Sequence, residues 1–247
     1  MSRTIAVLGA GPGLGRSIAT RFGREGFRVA LVARNKTRLD ALVDDLAGQG
    51  VEAAAFPADL RDHQGIPSLV DAISARFGSL DVAYYGPSGL EPALLPVPVL
   101  DVDPDALDSH LDLMVRTPIS LARAVLPGMR ERGDGALLFG LGISAKIPVP
   151  LMGNIGIALA GLRNYIHNLH AVLAEEGVYA GAVLIAALIE RSDAQRLFDA
   201  DSTVRPSTEV ERVDPDVLAE LCWEMYRGRD RVEEVVGGFG RTNAEPA

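Results

Sequence analysis

The sequence predicts an α/β fold, a doubly wound parallel sheet in a single domain spanning 1–247. Short apolar runs alternate with stretches of helical periodicity along most of the 247 residues. The runs are apolar almost throughout, as strands are when helices cover both faces of a sheet. A glycine-rich turn joins the first run to the first helical stretch.

Thr4–Leu8 is the first expected strand, and Leu8-Gly9-Ala10-Gly11-Pro12-Gly13-Leu14-Gly15-Arg16 turns from it into a helix over Leu14–Arg24. The run Arg28–Ala33 gives the second strand, and the periodic stretch Thr37–Ala47 the helix after it. Glu52–Phe56 and Asp81–Tyr85 read as strands flanking a helix over Gln64–Phe77. From Pro87 to Pro104 stand five prolines, Pro87, Pro92, Pro96, Pro98 and Pro104. Each lacks an N–H donor, so the segment is neither regular helix nor central strand. A long helix is then expected over Pro104–Arg132, a strand over Ala136–Leu141, a second long helix over Met152–Glu175 and a strand over Gly181–Ala186. The following stretch, about 188–213, is mostly polar, with Leu197 and Phe198 as the bulky pair in its middle, and reads as a lid. Like the Pro-rich segment, it follows a strand end, where ligands bind in open α/β sheets; a plain surface connection is the alternative for either. A helix over Asp214–Arg227 and a strand over Arg231–Val236 close the pattern.

Composition narrows the partners. With 24 Lys and Arg against 33 Asp and Glu, the formal charge is -9, which offers no general attraction for nucleic acid or an anionic membrane. The longest apolar runs, Gly135–Ala145 and Ala180–Ile189, are about half the ~20 residues that cross a bilayer. No export signal is read at the N-terminus, and Cys222 is the only cysteine, so a reducing cytoplasm is expected.

The glycine turn is the strongest chemical signal. Glycine lets backbone approach a diphosphate closely, and the N–H groups that open the next helix then face negative charge. Gly9, Gly11, Gly13, Leu14 and Gly15 are therefore the expected phosphate cradle. An NAD site usually places a carboxylate at the end of the second strand. This chain has Ala33-Arg34-Asn35 there, and a guanidinium pairs with a 2′-phosphate, so NADP(H) is the expected cofactor. Arg34 as a solvated loop cation is the alternative. Asp59 and Leu60 follow the third strand, where Asp59 is placed either to accept from the adenine amino group or to cap the next helix.

Together these residues resemble the short-chain dehydrogenase/reductase family over nearly the whole chain. The family's Gly-x-x-x-Gly-x-Gly matches Gly9, Gly13 and Gly15, and its strand-three Asp matches Asp59. The resemblance implies a Rossmann sheet of seven strands ordered 3-2-1-4-5-6-7, a nicotinamide cofactor, a small-molecule substrate, and a homodimer or homotetramer built on two long helices. It also implies catalytic Asn, Ser, Tyr and Lys, the last two as Tyr-x-x-x-Lys. The corresponding positions here are Met114, Gly142, Ile155 and Leu159. No other register supplies the pair, because the only lysines, Lys36 and Lys146, have no Tyr four residues before them. The family's Asn-Asn-Ala-Gly after strand four is Tyr85-Gly86-Pro87-Ser88 here, and its Pro-Gly after strand six is Ile185-Ala186.

The expected function is an NADP(H)-dependent oxidoreductase of altered chemistry acting on a small organic substrate, with a non-catalytic NADP-binding protein as the alternative. Replacement groups come from the same strand ends: Ser144 to hold an oxygen, Tyr85 to give a proton, and His110, one helical turn before Met114. Tyr84 and Tyr85 alternate faces, so only one points at the cleft. His167 and His170 lie far along the helix from Ile155, and no metal site is expected; Arg163, one turn beyond Leu159, is read as an ordinary salt-bridge partner, with charge carried toward the cleft as the alternative. Leu159, Leu162, Ile166 and Leu169 are expected to exceed what one sheet face covers and to form the subunit seam.

Overall fold

The computed structural model describes residues 2–88, 92–200 and 210–238. Its main sheet has seven parallel strands in the order β3-β2-β1-β4-β5-β6-β9, built from β1 Thr4–Leu8, β2 Arg28–Ala33, β3 Ala53–Pro57, β4 Val82–Tyr85, β5 Gly135–Gly142, β6 Val178–Ile185 and β9 Glu233–Val236. The remaining strands, β7 Leu188–Ile189 and β8 Arg212–Val213, form a small parallel pair. Helices α1 Leu14–Arg24, α2 Lys36–Gly48 and α8 Pro215–Gly228 cover one face, while α3 Ile66–Phe77, α5 Thr117–Arg132 and α6 Gly153–Leu173 cover the other. Two apolar clusters result, one on each side of the sheet, which is why the strands are apolar on both faces. Among the described residues, no helix is long and apolar enough to cross a membrane.

Two expected elements are corrected. The long helix expected over Pro104–Arg132 is broken into a 3-10 turn at Pro104–Leu107, the short helix α4 Asp108–Leu111, a π-turn at Asp112–Arg116, and α5. Pro118 is the cause. It sits at the start of α5 and has no N–H to return to the preceding turn, while Thr117 N–H reaches back five residues to the Asp112 carbonyl. The carbonyl of Leu113 is thereby left over. Sequence also began β6 at Gly181, whereas it starts at Val178, directly after Gly177 ends the α6 region with a φ of 73°.

The Pro-rich segment docks on the start of α6. Asn154, fully buried, accepts from Val97 N–H at 2.9 Å and donates to the Leu95 carbonyl at 3.0 Å. A Cβ on Gly153 would stand 2.6 Å from Val99 Cα, so only glycine admits this packing. The expected lid is partly regular: it contains β7, α7 Asp193–Ala200 and β8, while residues 201–209 lie outside the described residues.

Candidate functional site

The glycine turn is bonded to the end of β2. Gly9 and Ala10 both donate to the Val32 carbonyl at 3.0 Å, which sets the turn beside Ala33 and Arg34. Gly9 has a φ of +102°, and a Cβ there would lie 2.7 Å from Pro87 N, so the loop after β4 presses against it. A Cβ on Gly15 would lie 2.5 Å from the Gly9 carbonyl oxygen, so α1 approaches the turn as closely as backbone permits. No side chain caps the first turn of α1 at Gly13, and a Cβ on Gly11 would meet nothing nearer than the Gly9 carbonyl oxygen at 4.0 Å. This is a cradle a Cβ would fill at the start of a helix, and it fits the diphosphate of a dinucleotide.

At the neighbouring end, Asn35 spends its carboxamide as the N-cap of α2, accepting from Arg38 N–H at 3.0 Å. Asp59 does not cap α3, whose first residue is Ile66; it folds back on Arg61, accepting from its N–H at 3.0 Å and its guanidinium at 2.7 Å. Arg61, and more weakly Arg34, hold the Asp59 carboxyl below its ordinary value, which places Arg34 within electrostatic reach of Asp59. Leu60 is buried, and its carbonyl accepts from Thr117 at the head of α5. Leu14 packs into the core on the α1 side.

The lid crosses this cradle. Ser192 lies against Gly13, 3.1 Å from where a Cβ would stand. On one side of it, Arg191 reaches Asp214 at 2.5 Å and Asp216 at 2.9 Å, and Asp216 accepts from Ser17 of α1 at 2.6 Å. On the other, Asp193 pairs with Arg38 of α2 at 2.9 Å.

Beyond the cradle, β5, the π-turn and α6 converge on an apolar surface. Leu159 lies 3.5 Å from where a Gly142 Cβ would stand, and Ile155 and Met114 pack on the same cluster. The Ser144 hydroxyl is 3.9 Å from that Gly142 position, buried and without a hydrogen-bond partner. Tyr85 is spent elsewhere: its buried hydroxyl donates to the Leu113 carbonyl that the π-turn leaves over. Tyr84 points to the opposite face, and its unpartnered hydroxyl fits between Gly86 and Gly140. Burial pushes both phenols well above their ordinary pKa. His110 is buried on α4 with neither ring nitrogen partnered.

A cluster the sequence reading did not assemble stands at the sheet edge. Glu233 of β9 accepts from Lys146 at 2.7 Å, from Arg163 at 2.7 and 2.9 Å, and from His167 at 2.8 Å. These hydrogen bonds hold its carboxyl down at about 2, with the Arg163 bond the largest cause. Arg163 and His167 are one turn apart on α6, a spacing visible in sequence, but their partner is 70 and 66 residues away. His170 instead bonds the Ala180 carbonyl, and no three His, Cys, Asp or Glu side chains among the described residues form a metal-binding group.

Residues 3–196 match the family model described as short chain dehydrogenase. A short chain dehydrogenase of Pseudocercospora fijiensis is 30% identical over 188 residues, covering 73% of this chain and 58% of that protein. Sulfoacetaldehyde reductase 2 of Chromohalobacter salexigens is 30% identical over 179 residues, covering 72% of this chain and 69% of that one. Among solved structures, a metagenomic short-chain oxidoreductase in complex with NADP superposes with a TM-score of 0.77 at 22% identity, over 96% of this chain and 97% of that one.

Proposed function

The chain belongs to the short-chain dehydrogenase family, and from that premise we propose that it is an NADP(H)-dependent oxidoreductase acting on a small organic substrate at a reaction centre without the family's proton relay. One observation carries the cofactor half: the glycine turn is bonded to the end of β2, so the cradle opens beside Arg34, at the position where an NAD site usually has a carboxylate. The turn and the head of α1 hold the diphosphate, and Arg34 holds the 2′-phosphate. Asp59 accepts from the adenine, with the Leu60 backbone beside it. When bound, the nicotinamide supplies or takes a hydride.

The chain's own groups then decide which hydride acceptors react. Gly142, Ile155 and Leu159 carry no proton to give, and Met114 adds none. A positioned acid is worth ~10²–10⁴-fold and an oxyanion donor ~10²–10³-fold. Ser144, unpartnered and next to Gly142, is the group left to hold a substrate oxygen or nitrogen. Such a site suits a substrate that needs little acid assistance, such as an activated alkene, an imine or a quinone. The apolar character of all four family positions also favours a second reading, a non-catalytic NADP-binding protein of the same fold. In either reading the protein is a cytoplasmic homo-oligomer.

Calorimetric titration tests the cofactor half. NADPH is expected to bind at least about tenfold more tightly than NADH, or ~1.4 kcal/mol, and Arg34→Ala to erase the difference. Equal affinities in the unmodified protein overturn it.

A further inference from the structure

Three consecutive residues bridge the phosphate cradle. Arg191, held at a φ of 62° although it is not glycine, is tied through Asp214 and Asp216 toward α1; Ser192 lies on Gly13; and Asp193 is paired with Arg38 at the first turn of α2. A left-handed backbone at a bulky residue is strained and persists only where its surroundings enforce it. Ser192 is itself locked, donating to the Ile189 carbonyl at 2.7 Å and accepting from Gln195 N–H at 3.0 Å as the cap of α7. The strap therefore has one anchor on the α1 side and one on α2, with the glycine turn beneath it.

The anchor on α2 has a particular chemistry. Arg38 follows Arg34 by four residues, in the first turn of α2, and its guanidinium holds a carboxylate at 2.9 Å. A carboxylate and a phosphate oxygen are interchangeable partners for an arginine fork. Both side chains are exposed, at 65% and 41%, so the pair is weak enough to exchange.

The geometry points to Arg38 as a second ligand of the cofactor's 2′-phosphate and to Asp193 as the internal carboxylate that competes for it. This rests on the NADP reading given above and deepens it: the same exchange that binds the 2′-phosphate releases the strap at its α2 anchor. NADH lacks the phosphate and leaves the anchor in place. Asp193 thus lowers affinity for NADPH alone, and strap opening reports which cofactor has arrived.

The test is calorimetric titration of the full chain with NADPH and with NADH, in the unmodified protein, Asp193→Asn, Arg38→Ala and the double variant, each checked for an unchanged melting transition. Asp193→Asn is expected to tighten NADPH about three- to tenfold and to change NADH less than twofold. Arg38→Ala is expected to weaken NADPH and to abolish the gain from Asp193→Asn in the double variant. If Asp193→Asn leaves NADPH unchanged, or tightens both cofactors equally, the competition is overturned even where the unmodified protein prefers NADPH. Loss of the preference itself, with Arg34→Ala silent, would instead overturn the underlying cofactor reading.

Discussion

Replacing Glu233 by Gln removes the one carboxylate that binds Lys146, Arg163 and His167 together. Its side chain is 13% exposed, while the three partners are 42%, 29% and 35% exposed, so the carboxylate is the buried member and its donors keep water. The carboxyl is held at about 2 against an ordinary 4.5. At ~1.4 kcal/mol per unit, that sets a ceiling of about 3 kcal/mol on its ionic contribution. Screening of the half-exposed partners reduces the expected loss at neutral pH to about 1–2 kcal/mol, or roughly 2–8 °C in melting temperature for a chain of this size. Because the folded-state value is depressed, the stabilisation is fully present above pH 4.5 and is lost as pH falls from 4.5 through about 2. Gln does not titrate, so the stability gap between the two proteins should narrow across that window and close near its lower end. Urea unfolding at fixed ionic strength, at pH 7 and pH 3, measures the gap. A gap below 0.5 kcal/mol at pH 7, or one equal at both pH values, would refute the clamp between β9, α6 and the end of β5.

Two further outcomes are expected. Gly9→Ala meets both a positive φ and the backbone of Gly86 and Pro87, so it should destabilise by about 1–3 kcal/mol and weaken NADPH binding, read by thermal shift with and without cofactor. The outward stripe of α6 consists of Ile157, Ala160, Gly161, Asn164, Asn168, Ala171 and Val172, all exposed and none charged; light scattering should give a multiple of 26.2 kDa, and Gly161→Arg should return the monomer mass.

The inner strands were legible because each is apolar on both faces, and the glycine turn because its strand and helix flank it in sequence. Helix continuity was overread at Thr117-Pro118, where a missing N–H breaks the ladder and leaves the Leu113 carbonyl to accept from the Tyr85 hydroxyl. The side chains expected to be left over for a second subunit are covered within the chain itself. Leu159, Leu162 and Ile166 are buried between α6 and the sheet, with Leu169 partly buried beside them, so the exposed face of α6 is the uncharged stripe from Ile157 to Val172. Asn154, Glu233 and the Arg38–Asp193 pair escaped sequence reading because each meets partners far away along the chain, 155 residues apart in the last case. Periodicity reports which face of an element is buried, and carries no record of which distant residue it meets.

The most direct test is steady-state reduction of simple ketones by NADPH, with calorimetric proof on the same sample that the cofactor is bound. An apolar surface at Gly142, Ile155 and Leu159 predicts saturable NADPH binding with ketone turnover at background, and activated alkenes, imines or quinones as the better acceptors. Ketone reduction at the rates of enzymes that carry the full proton relay would contradict the reading of those three positions.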